Sequence, residues 1–134
     1  MLRLPSLGEI DRGVGVKIYL CVGPTDMRKG FDTLAALVND FLGRDPLSGH
    51  LFLFISRKKD RLKILYWDAD GFALWYKRLE LGTFRLPRVS SDDASVELKA
   101  SELAMLLEGI DLRSIKRSKR LRLRAKNAGF SSKH

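Results

Sequence analysis

Two apolar runs of strand length stand close together in the middle of the chain. They are HLFLFIS (50–56) and LKILYWD (62–68), joined by the polar RKKDR (57–61). Residues of these types suit a pleated, half-buried surface, and so short a polar connection between two such runs predicts an antiparallel hairpin. The hairpin commits the fold to a sheet.

The flanking segments extend this pattern. VKIYLCV (16–22) is a third strand-like run, ended by Gly23-Pro24. Thr25 or Asp26 then offers a side-chain oxygen to the free N–H groups of a helix start, and Met27, Phe31, Leu34, Ala35, Val38 and Leu42 recur at helical spacing up to Gly43. RDPLSG (44–49) carries turn residues. ADGFALWYKRLELG (69–82) satisfies two periods: Phe72, Leu74 and Tyr76 alternate as in a strand, whereas Phe72, Trp75, Tyr76 and Leu79 fit one helix face. Asp70 as N-cap and Gly82 just past the end favour a helix. TFRLP (83–87) is expected as a short strand stopped by Pro87, and RVSSDDASVELK (88–99) as a polar connection with some strand character near Val96. A last helix is expected from Ser101 to Gly109, with Leu103, Leu106 and Leu107 facing inward. The predicted fold is therefore α+β in the order β-α-β-β-α-β-α: a small mixed or antiparallel sheet with about three helices and no internal repeat.

Charge divides the chain unevenly. Of its 134 residues 31% are charged and 45% hydrophobic, the balance of a soluble globular domain. From Arg113 onward there are nine Lys or Arg and no acid, while residues 1–112 hold 16 of each sign, so the net charge of +9 resides in the tail. The expected organisation is a single globular domain over 1–112 and a basic, flexible tail over 113–134. A neutral body with a basic extension suits nucleic-acid binding, because each cation placed on a phosphate releases condensed counterions. A solubilising tail and one that binds an acidic protein are the alternatives. No run approaches the roughly 18–20 apolar residues of a membrane span, and the N-terminal MLRLPSLGEIDRG meets charge and Pro too early for a signal peptide, so a cytoplasmic protein is expected. Cys21 is the single cysteine, which excludes an intrachain disulfide and reads as a small hydrophobe in a strand.

The candidate binding residues fall in three groups. In CVGPTDMRKG (21–30) the glycines and the Lys-Ser/Thr pair of a phosphate loop are missing. Arg28 and Lys29 are expected in the first helical turn, where cations oppose the helix dipole unless an anion lies nearby. That anion is either Asp26 or a DNA phosphate at the helix N-terminus. In the hairpin, Arg57, Lys59, Arg61 and Lys63 alternate and so share one side of a two-stranded ribbon, with Lys58 between them. A solvated turn that discourages edge pairing is the competing reading. The tail supplies Lys116, Arg117, Lys119, Arg120, Arg122 and Arg124. Tyr66, Trp67, Trp75 and Tyr76 are candidates for stacking on bases, although aromatics within apolar runs more often belong to a core.

Catalysis finds little support in the residues. Glu97-Leu98-Lys99 with Asp68 or Asp70 has the composition of a metal-dependent nuclease site, but a three-residue match is frequent in a charged chain and surface charge is the better reading. His50 and His134 lack the spaced partners of a triad or zinc site. No catalytic residue, metal ligand or cofactor is assigned.

Taken together, TDMRKGFDTLAALV (25–38), DPLSGHLFLF (45–54), LKILYWDADGFALWYKRLELGTFRLP (62–87) and LAMLLEGID (103–111) resemble a known family. It is that of the small second-open-reading-frame accessory proteins, called TnpB, of the bacterial insertion-sequence family IS sixty-six (IS66), which are unrelated to the RNA-guided nuclease of the same name. The resemblance spans residues 2–112 and implies a mobile-element protein that assists transposition beside a larger transposase holding the catalytic acids. The family has no established catalytic residues to carry over. The function expected is thus a non-catalytic accessory factor for transposition, with element-end DNA, the transposase and a second accessory protein as partners. A pure protein-interaction subunit and a metal-dependent nuclease are the alternatives.

Overall fold

The computed structural model describes residues 15–88 and 92–108. Five strands and two helices follow in the order β1 (Ile18–Cys21), α1 (Phe31–Asp40), β2 (Leu51–Ile55), β3 (Arg61–Asp68), β4 (Gly71–Arg78), β5 (Ser95–Leu98) and α2 (Ala100–Glu108). The strands form one mixed sheet ordered β4-β3-β2-β1-β5. β1 and β2 run parallel, with Ile18 opposite Leu51, and every other pair is antiparallel.

Parallel neighbours need a crossover, and α1 supplies it. Its Leu34 and Val38, both fully buried, cover Tyr19, Cys21, Phe52, Phe54 and Leu65 on one face of the sheet. The opposite face, built on Ile18, Leu20, Leu51, Leu53 and Ile64, is closed by Leu103 and Leu106 of α2 and by Phe84. Because β1 and β2 are buried on both sides, IYLC and LFLFI are apolar throughout and do not alternate.

The expected order β-α-β-β-α-β-α with about three helices is corrected by this architecture, whose order among the described residues is β-α-β-β-β-β-α with two helices. Residues 71–78 are a strand, not a helix. All eight positions of β3 are paired with β4, from Arg61 opposite Arg78 to Asp68 opposite Gly71. Ala69 and Asp70 form the tight connection, with Ala69 at φ 55°, so Asp70 is a turn residue and not a helix cap. A helix here would leave the N–H and C=O groups of β3 as an open edge. As a strand, the segment sends Phe72 and Leu74 to the α1 face and Ala73 and Trp75 to the α2 face, so the alternating pattern is the one used and the helical set is split between the two faces.

TFRLP is likewise not a strand. The Phe84 N–H donates to the Lys59 carbonyl at 2.7 Å, and its buried ring joins the α2-side core. The strand character near Val96 is β5, at the sheet edge beyond β1. Finally, α1 starts at Phe31 with Gly30 as its N-cap, five residues or so later than Thr25 or Asp26 had suggested. Arg28 and Lys29 therefore lie in the turn ahead of the helix. At its other end Gly43, at φ 63°, takes the left-handed conformation that stops α1.

Candidate nucleic-acid interface

Since β1 and β2 are parallel, their C-terminal ends meet at the same edge of the domain. The chain leaves β1 into GPTDMRKG and leaves β2 into SRKKD, and the Thr25 N–H continues the pairing by donating to the Ile55 carbonyl at 2.8 Å. Two cationic stretches about thirty residues apart in sequence are thereby placed side by side. Between them lies a cleft of about 360 Å³ lined by Asp26 and Met27 on one side and Arg57, Lys58 and Arg61 on the other. A second cleft of about 430 Å³, with Cys21, Pro24, Leu86 and Pro87 in its walls, opens across Ser56 and Arg57 and reaches Lys59.

Each loop is fixed by its own polar contacts. Asp26 accepts the Arg28 backbone N–H at 2.9 Å, and its other oxygen takes the Arg28 guanidinium at 2.7 Å. The Arg28 side-chain and backbone hydrogen bonds hold the Asp26 carboxyl down to about 2, and Asp26 in turn raises Arg28. The anion that answers Arg28 is thus Asp26, while the guanidinium itself stays 91% exposed. In the hairpin loop, the buried Ser56 hydroxyl donates to Asp60 at 3.1 Å and accepts the Arg61 N–H at 3.0 Å. Lys59 at φ 61° closes the turn with its N–H on the Ser56 carbonyl. This frame leaves Arg57, Lys58 and Lys59 exposed, and among the described residues none of the three is in an ion pair.

Lys63 behaves differently from its neighbours. It is buried, and its ammonium donates to the carbonyls of Met27 and Lys29, both at 2.8 Å, while lying 4.8 Å from the centre of the Tyr76 ring. Burial lowers its pKa, with Asp26 opposing. Arg28, Lys29, Arg57, Lys58, Lys59 and Arg61 therefore gather at one end of the sheet, and Lys63 fastens the junction from beneath. The tail candidates Lys116, Arg117, Lys119, Arg120, Arg122 and Arg124 lie outside the described residues. Arg78 was missed in the sequence. Only the β3–β4 register sets it directly opposite Arg61, and the strand-like alternation through Phe72, Leu74 and Tyr76 was the signal that could have found it.

Residues 16–117 match a family model described as IS66 Orf2 like protein. The chain belongs to the IS66 Orf2-like family. Two relatives from Sinorhizobium fredii (strain NBRC 101917 / NGR234) are similar over most of their length, and both are described only as uncharacterized. Protein y4hO is 39% identical over 104 residues, which is 78% of this chain and 89% of the relative. Protein y4jC is 37% identical over 103 residues, 77% and 86% of the two chains. No solved structure matches. Family membership identifies an insertion-sequence-associated accessory protein, and the match spans every strand and helix described above. No helix among the described residues is long and apolar enough to cross a membrane.

In this IS66 Orf2-like chain the acids considered for a nuclease are kept apart. Glu97 lies on β5 opposite Tyr19, whereas Asp68 ends β3 and Asp70 lies in the β3–β4 turn. Two strands intervene between β5 and β3, a separation of about 14 Å. Among the described residues no three His, Cys, Asp or Glu side chains group as metal ligands. The Nδ1 of His50 accepts the Lys17 N–H at 3.0 Å, and burial, Lys17 and Arg44 push its pKa down, so the neutral ring ties two strand entrances together. Cys21 is buried and its thiol is pushed up by burial. Tyr66 is core, and Trp67 packs edge-on against Phe72.

Proposed function

We propose that this protein is a non-catalytic accessory factor of transposition that binds DNA at the ends of its element, alone or together with the transposase and a second accessory protein. The observation that carries this reading is the meeting of the two basic loops at the C-terminal ends of β1 and β2. Exposed cations carried on hydrogen-bonded loops start from a backbone already fixed, so little loop ordering is left for the moment of binding. In the two loops six cations, Arg28, Lys29, Arg57, Lys58, Lys59 and Arg61, stand against the two acids Asp26 and Asp60, which leaves the surface positive. The basic residues from Arg113 onward add to the same electrostatic attraction.

Fluorescence anisotropy on a terminal repeat of the element, as a function of salt, tests this. Replacing Arg57, Lys58 and Lys59 together by Gln is expected to weaken binding to all sequences alike and to lower the salt slope by about two to three, since each phosphate contact contributes roughly 0.9. Deleting residues 113–134 should lower the slope again while leaving circular dichroism of the body intact. An unchanged affinity and slope in both variants would exclude the DNA role. If those variants instead lost capture of the transposase, a protein-interaction subunit would be the correct description.

A further inference from the structure

The proposed DNA contact involves only phosphate, yet the sheet presents an aromatic ring beside it. On the α1 side of the sheet, β3 contributes Arg61, Lys63 and Leu65, and β4 contributes Phe72, Leu74, Tyr76 and Arg78. Helix α1 begins only at Phe31, and on these two strands it shares a cluster with Leu65, Phe72 and Leu74. At the hairpin end of that face the junction closes over Lys63 of β3, and the β4 side, with Tyr76 and Arg78 exposed, is left uncovered. There the register sets Lys63 opposite Tyr76 and Arg61 opposite Arg78.

We propose that this uncovered end is a platform for single-stranded nucleic acid, in which Tyr76 stacks on one base while Arg61, Arg78 and the adjoining junction hold the flanking phosphates. This rests on the DNA-binding reading above and names the form of DNA. Three features support it. Tyr76 is 49% exposed, whereas Phe72 and Leu74 on the same face of its strand are half-buried. The Lys63 ammonium lies over its ring, 4.8 Å from the centroid, and is itself fixed by two carbonyls, so a fixed cation backs the ring while about half of the residue, 49%, stays open to solvent. A side chain fixed in this way loses little entropy when a base lies on it.

The third feature is electrostatic. Arg61 and Arg78 face each other directly across the strands, an arrangement of like charges that is unfavourable by itself. Arg78 has only the exposed Glu80, two residues along, as counterion at 3.2 Å. A phosphate between the two guanidinium groups relieves that repulsion. The Lys29 carbonyl is bound by the same ammonium that lies over the ring, so the main chain of the junction passes close to the aromatic. In a duplex the base faces are stacked on one another and closed to a tyrosine, whereas an unpaired strand offers them freely. An exposed tyrosine on an edge strand is common in sheets, but one backed by a fixed cation and bordered by two facing arginines matches the combination of ring and basic groove that single strands require.

The test compares the full-length protein on a single strand and on the duplex of the same sequence. Wild type is expected to bind the single strand more tightly. Tyr76→Ala should weaken single-strand binding roughly five- to a hundred-fold, while changing duplex binding less than about twofold. Tyr76→Phe, which keeps the ring, should restore single-strand binding. Melting curves accompany each variant, and a Tyr76→Ala protein that loses both forms of DNA together with its folding transition would overturn the proposal, as the ring would then be structural. Equal affinity of wild type and Tyr76→Ala for the single strand would overturn it while leaving the phosphate reading standing. Loss of transposase binding with unchanged DNA binding would also overturn it, in favour of a protein contact. Absence of wild-type binding to either DNA form would remove both readings.

Discussion

The ammonium of Lys63 donates a 2.8 Å hydrogen bond to the main-chain carbonyl of Lys29, thirty-four residues earlier, and a matching one to Met27. A cation from the middle of the sheet thereby holds the loop that carries the first basic cluster. The Lys63 side chain crosses beneath the junction, fixing where Arg28 and Lys29 stand relative to the hairpin.

Lys63→Met keeps most of the unbranched side chain and removes the donor. Hydrogen bonds from a charged group contribute about 1.5–3 kcal/mol each, partly offset here because the ammonium no longer has to be desolvated. A net loss of about 1–3 kcal/mol is expected in urea denaturation, together with faster amide exchange at residues 25–30. A loss under about 0.5 kcal/mol would mean that the loop is held by other contacts.

The Asp26–Arg28 pair predicts a pH response of defined sign. The folded carboxyl titrates at about 2, below its ordinary 3.8. The unfolded state thus takes up the proton first, and the contribution of this group is complete above pH 4 and lost as pH falls towards 2. In Arg28→Gln the Asp26 carboxyl should titrate much closer to 3.8, as followed by carboxyl carbon NMR. A titration still near 2 in that variant would assign the shift to something other than Arg28.

Leu34 is fully buried where α1 meets β1, β2 and β3. Leu34→Ala is expected to cost about 2–5 kcal/mol through lost burial and the cavity left behind. Equilibrium unfolding measures this, and a cost under about 1 kcal/mol would show that α1 is not clamped to that face.

Glu97→Gln and Asp68→Asn are expected to be nearly silent. Glu97 meets Lys17 at 4.0 Å with both side chains 56% exposed, and pairs of that kind contribute about 0–1 kcal/mol. Transposition frequency should remain near wild type in both variants. Abolished metal-dependent cleavage in a folded Glu97→Gln protein, where wild type cleaves, would restore the nuclease reading.

Much of this architecture was determined by local sequence alone. The runs around Ile18–Cys21, Leu51–Ile55 and Arg61–Asp68 are too apolar and too short for anything but buried strands, and Leu34 and Val38 mark the inner face of α1 by their spacing. The basic character of the junction and of the hairpin was equally visible, because charge is a property of composition and needs no fold.

Only the tertiary structure decided the rest. Residues 71–78 satisfy a strand period and a helix period together, and the choice fell to the open edge of β3, a demand that comes from another segment. α1 starts at Phe31 because Asp26 caps only a single turn, its carboxylate accepting the Arg28 N–H and its carbonyl the Lys29 N–H, after which the Met27 and Lys29 carbonyls are taken by the Lys63 ammonium, a partner from another strand. Lys63 reads as one more surface cation in sequence, and becomes an internal fastening because α1 and the junction close over its strand. The adjacency of Asp26 and Met27 to Arg57 and Lys58 follows from the parallel pairing of β1 with β2, a long-range register that no local pattern in either loop encodes.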